Sequence, residues 1–245
     1  MSQDLFYSFE TNRITIAGRE AVVVFPKEGT SNGKWVLKTE YFGAFPDTEI
    51  KLLEKGYHIA HIQNLTRWYV REDNEARAEL AKYMHKTLGL SQKCVIVGMS
   101  CGGMQGIYFG AVYPQYVSCM YLDAPVVDLL SVVFGLGKTH DCPDLELFQS
   151  QFVNDKKMTL VDTISYREHP LDYIPRLMEN RIPLVLVSGD SDTVVCFDEN
   201  GRFLKEAYEK SDIPFELHIK PGGDHHPHGL CDNTPIVDFI LKYDK

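Results

Sequence analysis

Hydrophobic and polar residues alternate with two different periods along this chain. Near the N-terminus the period is two: residues 13–16 and 21–25 each suit a strand, and Gly18-Arg19 between them indicates a hairpin. From Trp35 onwards, short apolar runs alternate with longer segments of helical period. This alternation predicts an α/β fold, in which a mainly parallel, twisted sheet is covered by helices on both faces.

The elements expected after the hairpin follow from the apolar runs and from the glycines that end helices. The predicted strands are residues 35–38, 57–62, 95–99, 116–122, 183–187 and 215–219, and the predicted helices are residues 46–55, 73–88, 104–113, 200–210 and 235–243. In a parallel sheet of this kind, ligands bind at the carboxyl ends of the strands. The residues that follow each strand are therefore the candidates for chemistry.

Residues 126–182 interrupt the rhythm of strands and helices. The segment contains Gly135-Leu136-Gly137, Cys142-Pro143 and His169-Pro170, and it is too long for a plain connection between two elements. We predict an insertion of helices and loops that covers the active site as a lid, within one domain of residues 1–245. The alternative is a surface excursion that makes no contact with substrate.

The predicted strand at 95–99 runs into the segment Gly98-Met99-Ser100-Cys101-Gly102, and a helical pattern follows. Gly-x-Ser-x-Gly between a strand and a helix is the pattern of a nucleophile elbow. The turn is so tight that Gly98 and Gly102 stand where a Cβ atom would clash. Ser100 is therefore the predicted nucleophile, and the alternative is an ordinary glycine-rich turn. A Cys101 nucleophile is disfavoured, because its side chain should point away from the base.

A serine hydroxyl needs an adjacent base, and the base needs an orienting carboxylate. After an elbow of this kind, the acid and the histidine follow in that order, each beyond a later strand. Asp190 and Asp192 both follow the strand at 183–187. The Gly189-x-x-Asp192-x-x-Val195 spacing resembles the acid loop of α/β-hydrolases and favours Asp192. Asp190 then suits a turn residue that binds nearby backbone N–H groups.

Three histidines, His225, His226 and His228, follow the strand at 215–219. His225 comes directly after the turn at 222–224 and is the preferred base, with His226 as the alternative. Zinc is the competing interpretation, since imidazole is a common zinc ligand. We expect no metal, because two of the histidines are adjacent on a loop, without an H-E-x-x-H helix or a cysteine pair. His226 and His228 are expected to order the loop or to line the substrate site.

An oxyanion hole needs two backbone N–H donors. The N–H of Cys101, next to the nucleophile, is expected to be one donor. The other should come from Glu40 or Tyr41, which follow the strand at 35–38. Glu40 is also a candidate polar contact to substrate or to the elbow. Trp68 belongs to a set of aromatic residues that could stack on a sugar ring, and its alternative role is packing beneath the lid.

Composition and charge disfavour several kinds of partner. The net charge of −9 argues against nonspecific binding to nucleic acid or to anionic membranes. No apolar run is long enough to span a bilayer, and residues 1–6 lack the basic and apolar regions of a secretory leader. The six cysteines form no C-x-x-C pair, so we expect reduced thiols and a cytoplasmic location.

Five segments of the chain, the elbow among them, resemble segments of a known protein family. They are residues 40–46 (EYFGAFP), 98–103 (GMSCGG), 122–126 (LDAPV), 220–229 (KPGGDHHPHG) and 234–240 (TPIVDFI). On these segments the chain resembles the α/β-hydrolase superfamily, and within it a bacterial subgroup of small serine esterases that is grouped with carbohydrate esterases. It departs from such relatives at Thr39-Glu40, where many have His-Gly, and at Asp224, where many have glycine.

The residues and the resemblance together predict a serine hydrolase that cleaves a carboxylic ester through an acyl-enzyme intermediate, without a cofactor. The expected partner is a small-molecule ester, and the resemblance implies acyl groups on carbohydrates. Two alternatives stay open. One is a peptidase or amidase that acts on small substrates, and the other is an inactive hydrolase fold that serves as a binding protein.

Overall fold

A computed structural model describes residues 5–245, except for the side chains of His140 and Asp141. The expectation that no secretory leader is present rests partly on residues 1–4, which lie outside the described residues. Across residues 5–245, no helix combines the length and the apolar composition that crossing a membrane requires.

Nine strands form one mixed sheet in the described part of the chain. They are β1 Leu5–Phe6, β2 Phe9–Ile16, β3 Arg19–Val24, β4 Trp35–Lys38, β5 His58–Ile62, β6 Cys94–Met99, β7 Val117–Asp123, β8 Leu184–Gly189 and β9 Phe215–Lys220. Their spatial order is β1-β2-β3-β5-β4-β6-β7-β8-β9. The pairs from β1 to β5 are antiparallel, and all pairs from β5 onwards are parallel. The predicted α/β class with a mainly parallel sheet is confirmed.

Helices cover both faces of this sheet. They are α1 Asp47–Glu54, α2 Arg71–Lys86, α3 Cys101–Val112, α4 Leu129–Phe134, α5 Leu145–Lys156, α6 Leu160–Ser165, α7 Ile174–Glu179, α8 Gly201–Glu209 and α9 Thr234–Tyr243. Successive strand residues point to opposite faces. Ile96 of β6 therefore packs in the cluster with α2, α3, α7 and α8, whereas Val95 and Val97 pack with α1 and α9. The two faces form separate apolar cores on either side of one sheet.

Strand β2 begins at Phe9, four residues before the predicted strand at 13–16. Among the helices, the largest boundary difference lies at the elbow. The periodic pattern predicts a helix from residue 104, but α3 begins at Cys101, directly after Ser100. Gly102 and Gly103 have low helix propensity, so the first turn carries no helical signal of its own. Tertiary contacts impose that turn instead, because the two glycines pack directly against Glu40 and Pro125.

Residues 126–182 contain four α-helices, α4 to α7, and two short 3₁₀ helices. Leu177 of α7 is fully buried in the same cluster as α3, so this end of the segment belongs to the main core. Val132, Val133 and Phe152 of α4 and α5 form another buried cluster, together with Cys101 and Met104 at the start of α3. The middle of the segment thus packs over the end of α3 that carries the elbow.

Candidate active site

The turn after β6 has the strained geometry that the sequence pattern predicts. Ser100 has a φ of 54°, in the left-handed region that non-glycine residues rarely adopt. A Cβ on Gly98 would stand 2.5 Å from the carbonyl oxygen of Gly102, so a larger residue there would push apart the strand and the helix. The glycines therefore permit the tight turn, and the turn holds Ser100 at the N-terminus of α3.

Neighbouring elements fix the elbow from two sides. The Ser100 N–H donates to the Asp123 carbonyl at 2.9 Å, and the Val126 N–H donates to the Ser100 carbonyl at 3.1 Å. Directly after β4, the Thr39 hydroxyl donates to the Gly102 carbonyl at 2.6 Å. Thr39 is one half of the unusual Thr39-Glu40 turn, and its role here is to hold the first turn of α3.

Ser100, Asp192 and His225 come together at the carboxyl ends of β6, β8 and β9. His225 Nε2 lies 3.1 Å from Ser100 Oγ, and His225 Nδ1 lies 2.8 Å from Asp192 Oδ2. An ionised carboxylate only accepts hydrogen bonds, so Nδ1 is the donor to Asp192. In the neutral ring, Nε2 is then the acceptor for the Ser100 hydroxyl. Residues that are far apart in sequence thus form one hydrogen-bonded chain that ends at the serine.

Asp192 is held as a buried acceptor. Its side chain is fully buried, and Oδ1 accepts the N–H groups of Val194 at 2.9 Å and Val195 at 2.7 Å. Asp190, the alternative acid, instead accepts the Gly222 N–H at 2.7 Å through Oδ1. Asp190 therefore ties the acid loop to the histidine loop, as expected for a turn residue, and of the two candidate acids it is Asp192 that contacts the His225 imidazole.

The acid loop and the histidine loop also touch through their backbones. A Cβ on Gly189 would stand 2.0 Å from the Gly223 carbonyl oxygen, so this approach requires glycine. Asp224, where related loops often have glycine, accepts the N–H groups of His225 at 2.8 Å and Thr193 at 3.1 Å. These N–H bonds lower the pKa of the Asp224 carboxyl. Asp224 thus supports the loop that carries His225.

A second buried histidine–aspartate pair lies beside the first, and the sequence argument missed it. His228 Nδ1 is 2.9 Å from Asp123 Oδ1, and both side chains are almost fully buried. Asp123 Oδ2 accepts the Gly229 N–H at 2.6 Å and the Tyr121 hydroxyl at 3.0 Å. One signal was available: Asp123 ends a wholly buried strand, paired with Met99 just before the elbow. An acidic residue there must meet a partner at the same edge of the sheet.

The residues considered for the oxyanion hole differ in the contacts that their backbone N–H groups and side chains make. Cys101 is the first residue of α3, so its N–H has no intrahelical acceptor. The Tyr41 N–H makes only a long contact of 3.4 Å with Glu40 Oε1. The Glu40 carboxylate also accepts a hydrogen bond from the side-chain amide of Asn64. Its contacts are therefore with polar groups next to the elbow. Burial raises the pKa of the Cys101 thiol to about 11, which keeps this thiol protonated at neutral pH.

A cavity of about 320 Å³ opens beside Ser100. Its wall contains Ser100, Met99, Tyr41, Ala44, Phe45, Arg67, Asp144, Leu147, Phe148, Val194, His225, His226 and His228. Leu147 and Phe148 belong to α5, so the segment at 126–182 supplies part of the wall around Ser100. The wall is mostly apolar, with the histidines and Arg67 as its basic groups. It suits a small molecule that has both apolar and polar parts.

Trp68 does not belong to this wall, which corrects the expectation that it contacts substrate. Its side chain is 1% exposed, and its ring packs edge-on against Phe148 and Phe152 of α5. Its alternative role, packing beneath the inserted segment, is the one observed. Because the Trp68 ring is large and mostly apolar, burial against α5 stabilises it more than exposure at the cavity mouth would.

Comparisons with known proteins agree with this architecture. A family profile described as alpha/beta hydrolase fold matches residues 66–160. Dipeptidyl peptidase 4 of Porphyromonas gingivalis is 18% identical, with 96% of this chain and 35% of that one covered and a TM-score of 0.69. An esterase of Pyrococcus furiosus is 17% identical, with 97% and 92% covered and a TM-score of 0.68. Acylaminoacyl peptidase of Pyrococcus horikoshii is 13% identical, with 89% and 38% covered and a TM-score of 0.67.

The chain spans a little over a third of the length of these two peptidases, and nearly the whole length of the esterase. Identities this low carry information about the fold alone. The strand order, the elbow between β6 and α3, the profile match and the structural likeness all agree. The chain is therefore an α/β-hydrolase-fold protein.

Proposed function

We propose that this protein is a serine hydrolase that cleaves a carboxylic ester through an acyl-enzyme intermediate. The observation that carries the proposal is the hydrogen-bonded chain from Asp192 through His225 to Ser100 Oγ, with distances of 2.8 and 3.1 Å. These distances are short enough for the serine hydroxyl to pass its proton to the imidazole. The neighbours that share this fold include an esterase and an acylaminoacyl peptidase, and a hydrolase activity here would agree with theirs.

In the proposed mechanism, Ser100 Oγ attacks the ester carbonyl while His225 Nε2 takes the hydroxyl proton. Asp192 holds the imidazole in the required tautomer and stabilises its positive charge. The N–H groups of Cys101 and Tyr41 donate to the tetrahedral oxyanion. His225 then gives its proton to the departing alcohol. Water, deprotonated by the same imidazole, attacks the acyl-serine, and His225 returns this proton to Ser100 Oγ as the acid is released.

The cavity supports a small ester as the substrate. Tyr41, Phe45 and Phe148 give the wall aromatic surface, and Arg67 adds a positive charge. Such a wall suits an acylated sugar, whose ring can stack on aromatic groups while its hydroxyls meet polar ones. In this proposal, the segment at 126–182 acts as the lid, because Leu147 and Phe148 of α5 lie in the wall. The alternative of a binding protein is disfavoured by the complete serine–histidine–aspartate chain.

The proposal is tested with two substrates, p-nitrophenyl acetate and p-nitroacetanilide. They differ only at the scissile bond, which is an ester C–O bond in the first and an amide C–N bond in the second. We expect hydrolysis of the ester and at least about 10²-fold slower hydrolysis of the anilide, because the amine is the poorer leaving group and requires protonation. Ser100→Ala is the control for reaction at other nucleophiles. Comparable rates on both substrates would favour the amidase, and no Ser100-dependent turnover would favour the binding protein. Acetate release from an acetylated monosaccharide tests the carbohydrate class.

A further inference from the structure

The three histidines of the loop after β9 are arranged around a common point. One ligand atom from each of His225, His226 and His228 lies within 4.8 Å of the other two. Their ring centroids are 4.8, 4.9 and 5.0 Å apart, and the ring planes are inclined by 54° to 78°. Three imidazoles around a tetrahedral zinc ion, with Zn–N distances of about 2.1 Å, have centroids roughly 5 Å apart. The rings therefore stand at the spacing of a three-histidine metal site, and their nitrogens, which lie within 4.8 Å of one another, must close to about 3.4 Å for one ion to bond to all three.

Two of the imidazoles are also oriented as metal ligands usually are. A histidine that binds a metal through one nitrogen commonly donates its other N–H to a carboxylate, which fixes the ring and raises its basicity. His225 does so through Nδ1 to Asp192, and His228 through Nδ1 to Asp123. In both rings Nε2 is then the nitrogen that can bond to a cation, although in His225 the cation would have to replace the Ser100 hydroxyl that this nitrogen accepts. The buried pair His228–Asp123, which the proposed mechanism does not use, acquires a role in this way.

The third imidazole can adjust its position. His226 is exposed and has no hydrogen-bond partner among the described residues, so only its ring contacts with Phe45, His225 and His228 hold it in place, and a small shift toward the other two imidazoles breaks no hydrogen bond.

We propose that His225, His226 and His228 form a binding site for a divalent transition-metal ion of the Zn²⁺ type, and that an ion bound there inhibits the serine hydrolase. Zn²⁺ would bond to the same Nε2 lone pair of His225 that accepts the Ser100 proton. Metal binding and nucleophile activation therefore exclude each other. The inhibitory part rests on the proposed function, whereas the binding part rests on the geometry alone.

The test measures Zn²⁺ binding by titration calorimetry on the intact chain without substrate, so its outcome does not depend on hydrolase activity. We expect one ion per chain, with a dissociation constant at least about tenfold higher in His226→Ala and in His228→Ala. His226 is exposed, so its removal should not disturb folding. His85→Ala is the matched control and should bind as the wild type does, because His85 lies on α2 and contacts the Leu90 carbonyl. Replacing Zn²⁺ by Co²⁺ should give the visible absorption of a tetrahedral ion.

Ester hydrolysis provides the second readout. Turnover should fall as Zn²⁺ is added, with a midpoint that matches the calorimetric dissociation constant, and EDTA should restore it. The binding proposal is overturned if no one-to-one binding occurs, or if His226→Ala, His228→Ala and the His85→Ala control bind Zn²⁺ equally well. The inhibitory proposal is overturned if the calorimetric site fills while turnover stays constant or rises.

Discussion

Replacing His225 by alanine is expected to lower kcat for ester hydrolysis by about 10⁴-fold, because Ser100 loses the base that accepts its proton. His225 is the residue that joins Ser100 to Asp192, so the loss of this one imidazole breaks both hydrogen bonds. KM should change much less, since binding depends mainly on the cavity wall. Steady-state kinetics on p-nitrophenyl acetate measure both constants.

His226→Ala is the matched comparison, because this histidine is adjacent in sequence and was the alternative base. Its ring lies 4.8 Å from that of His225, but it makes no hydrogen bond to Ser100 or Asp192 among the described contacts. The His226→Ala variant should keep kcat at least about 10²-fold above that of His225→Ala. The assignment is wrong if the two variants exchange these results.

Replacing Lys38 by methionine is expected to lower the free energy of unfolding by about 3–5 kcal/mol, since it leaves a buried carboxylate without its partner. Lys38 Nζ lies 2.5 Å from Glu49 Oε1, and these side chains are only 1% and 2% exposed. The pair joins the end of β4 to α1, directly before the Thr39–Tyr41 turn. Urea unfolding measures the change.

Two further variants separate the buried charge from simple loss of a contact. Lys51→Met removes an exposed ion pair with Asp232, which water screens, so this change should leave the free energy of unfolding nearly unchanged. Adding Glu49→Leu to Lys38→Met removes the unpaired charge and should recover most of the lost stability. A double variant that is as unstable as Lys38→Met alone would contradict this explanation.

The fold could be predicted from sequence because the determining signals are local. Each parallel strand is a short apolar run, and each following helix has its own period and a glycine at its end. The elbow has a similarly local signature, since Gly98 is required by a contact with Gly102 only four residues away. The order in which Asp192 and His225 follow Ser100 then placed them at the same edge of the sheet.

The features that escaped prediction depend on contacts between distant segments. Asp123 and His228 are 105 residues apart, and neither carries a local pattern that names its partner. Trp68 has the composition of a stacking residue, but its burial is decided by α5, some eighty residues further along the chain. The three histidines likewise come together because of the path of the loop after β9. Their spacing in the sequence alone argues against a shared metal site.

The measurement that tests the central claim most directly is active-site labelling with a fluorophosphonate, mapped by mass spectrometry. The account predicts a single covalent adduct, on Ser100, in the wild type. It predicts much slower labelling of Ser100 in His225→Ala, and no adduct at residue 100 in Ser100→Ala. A wild-type protein that stays unlabelled under conditions that label a reference serine hydrolase, or that is labelled at another residue, would contradict the account.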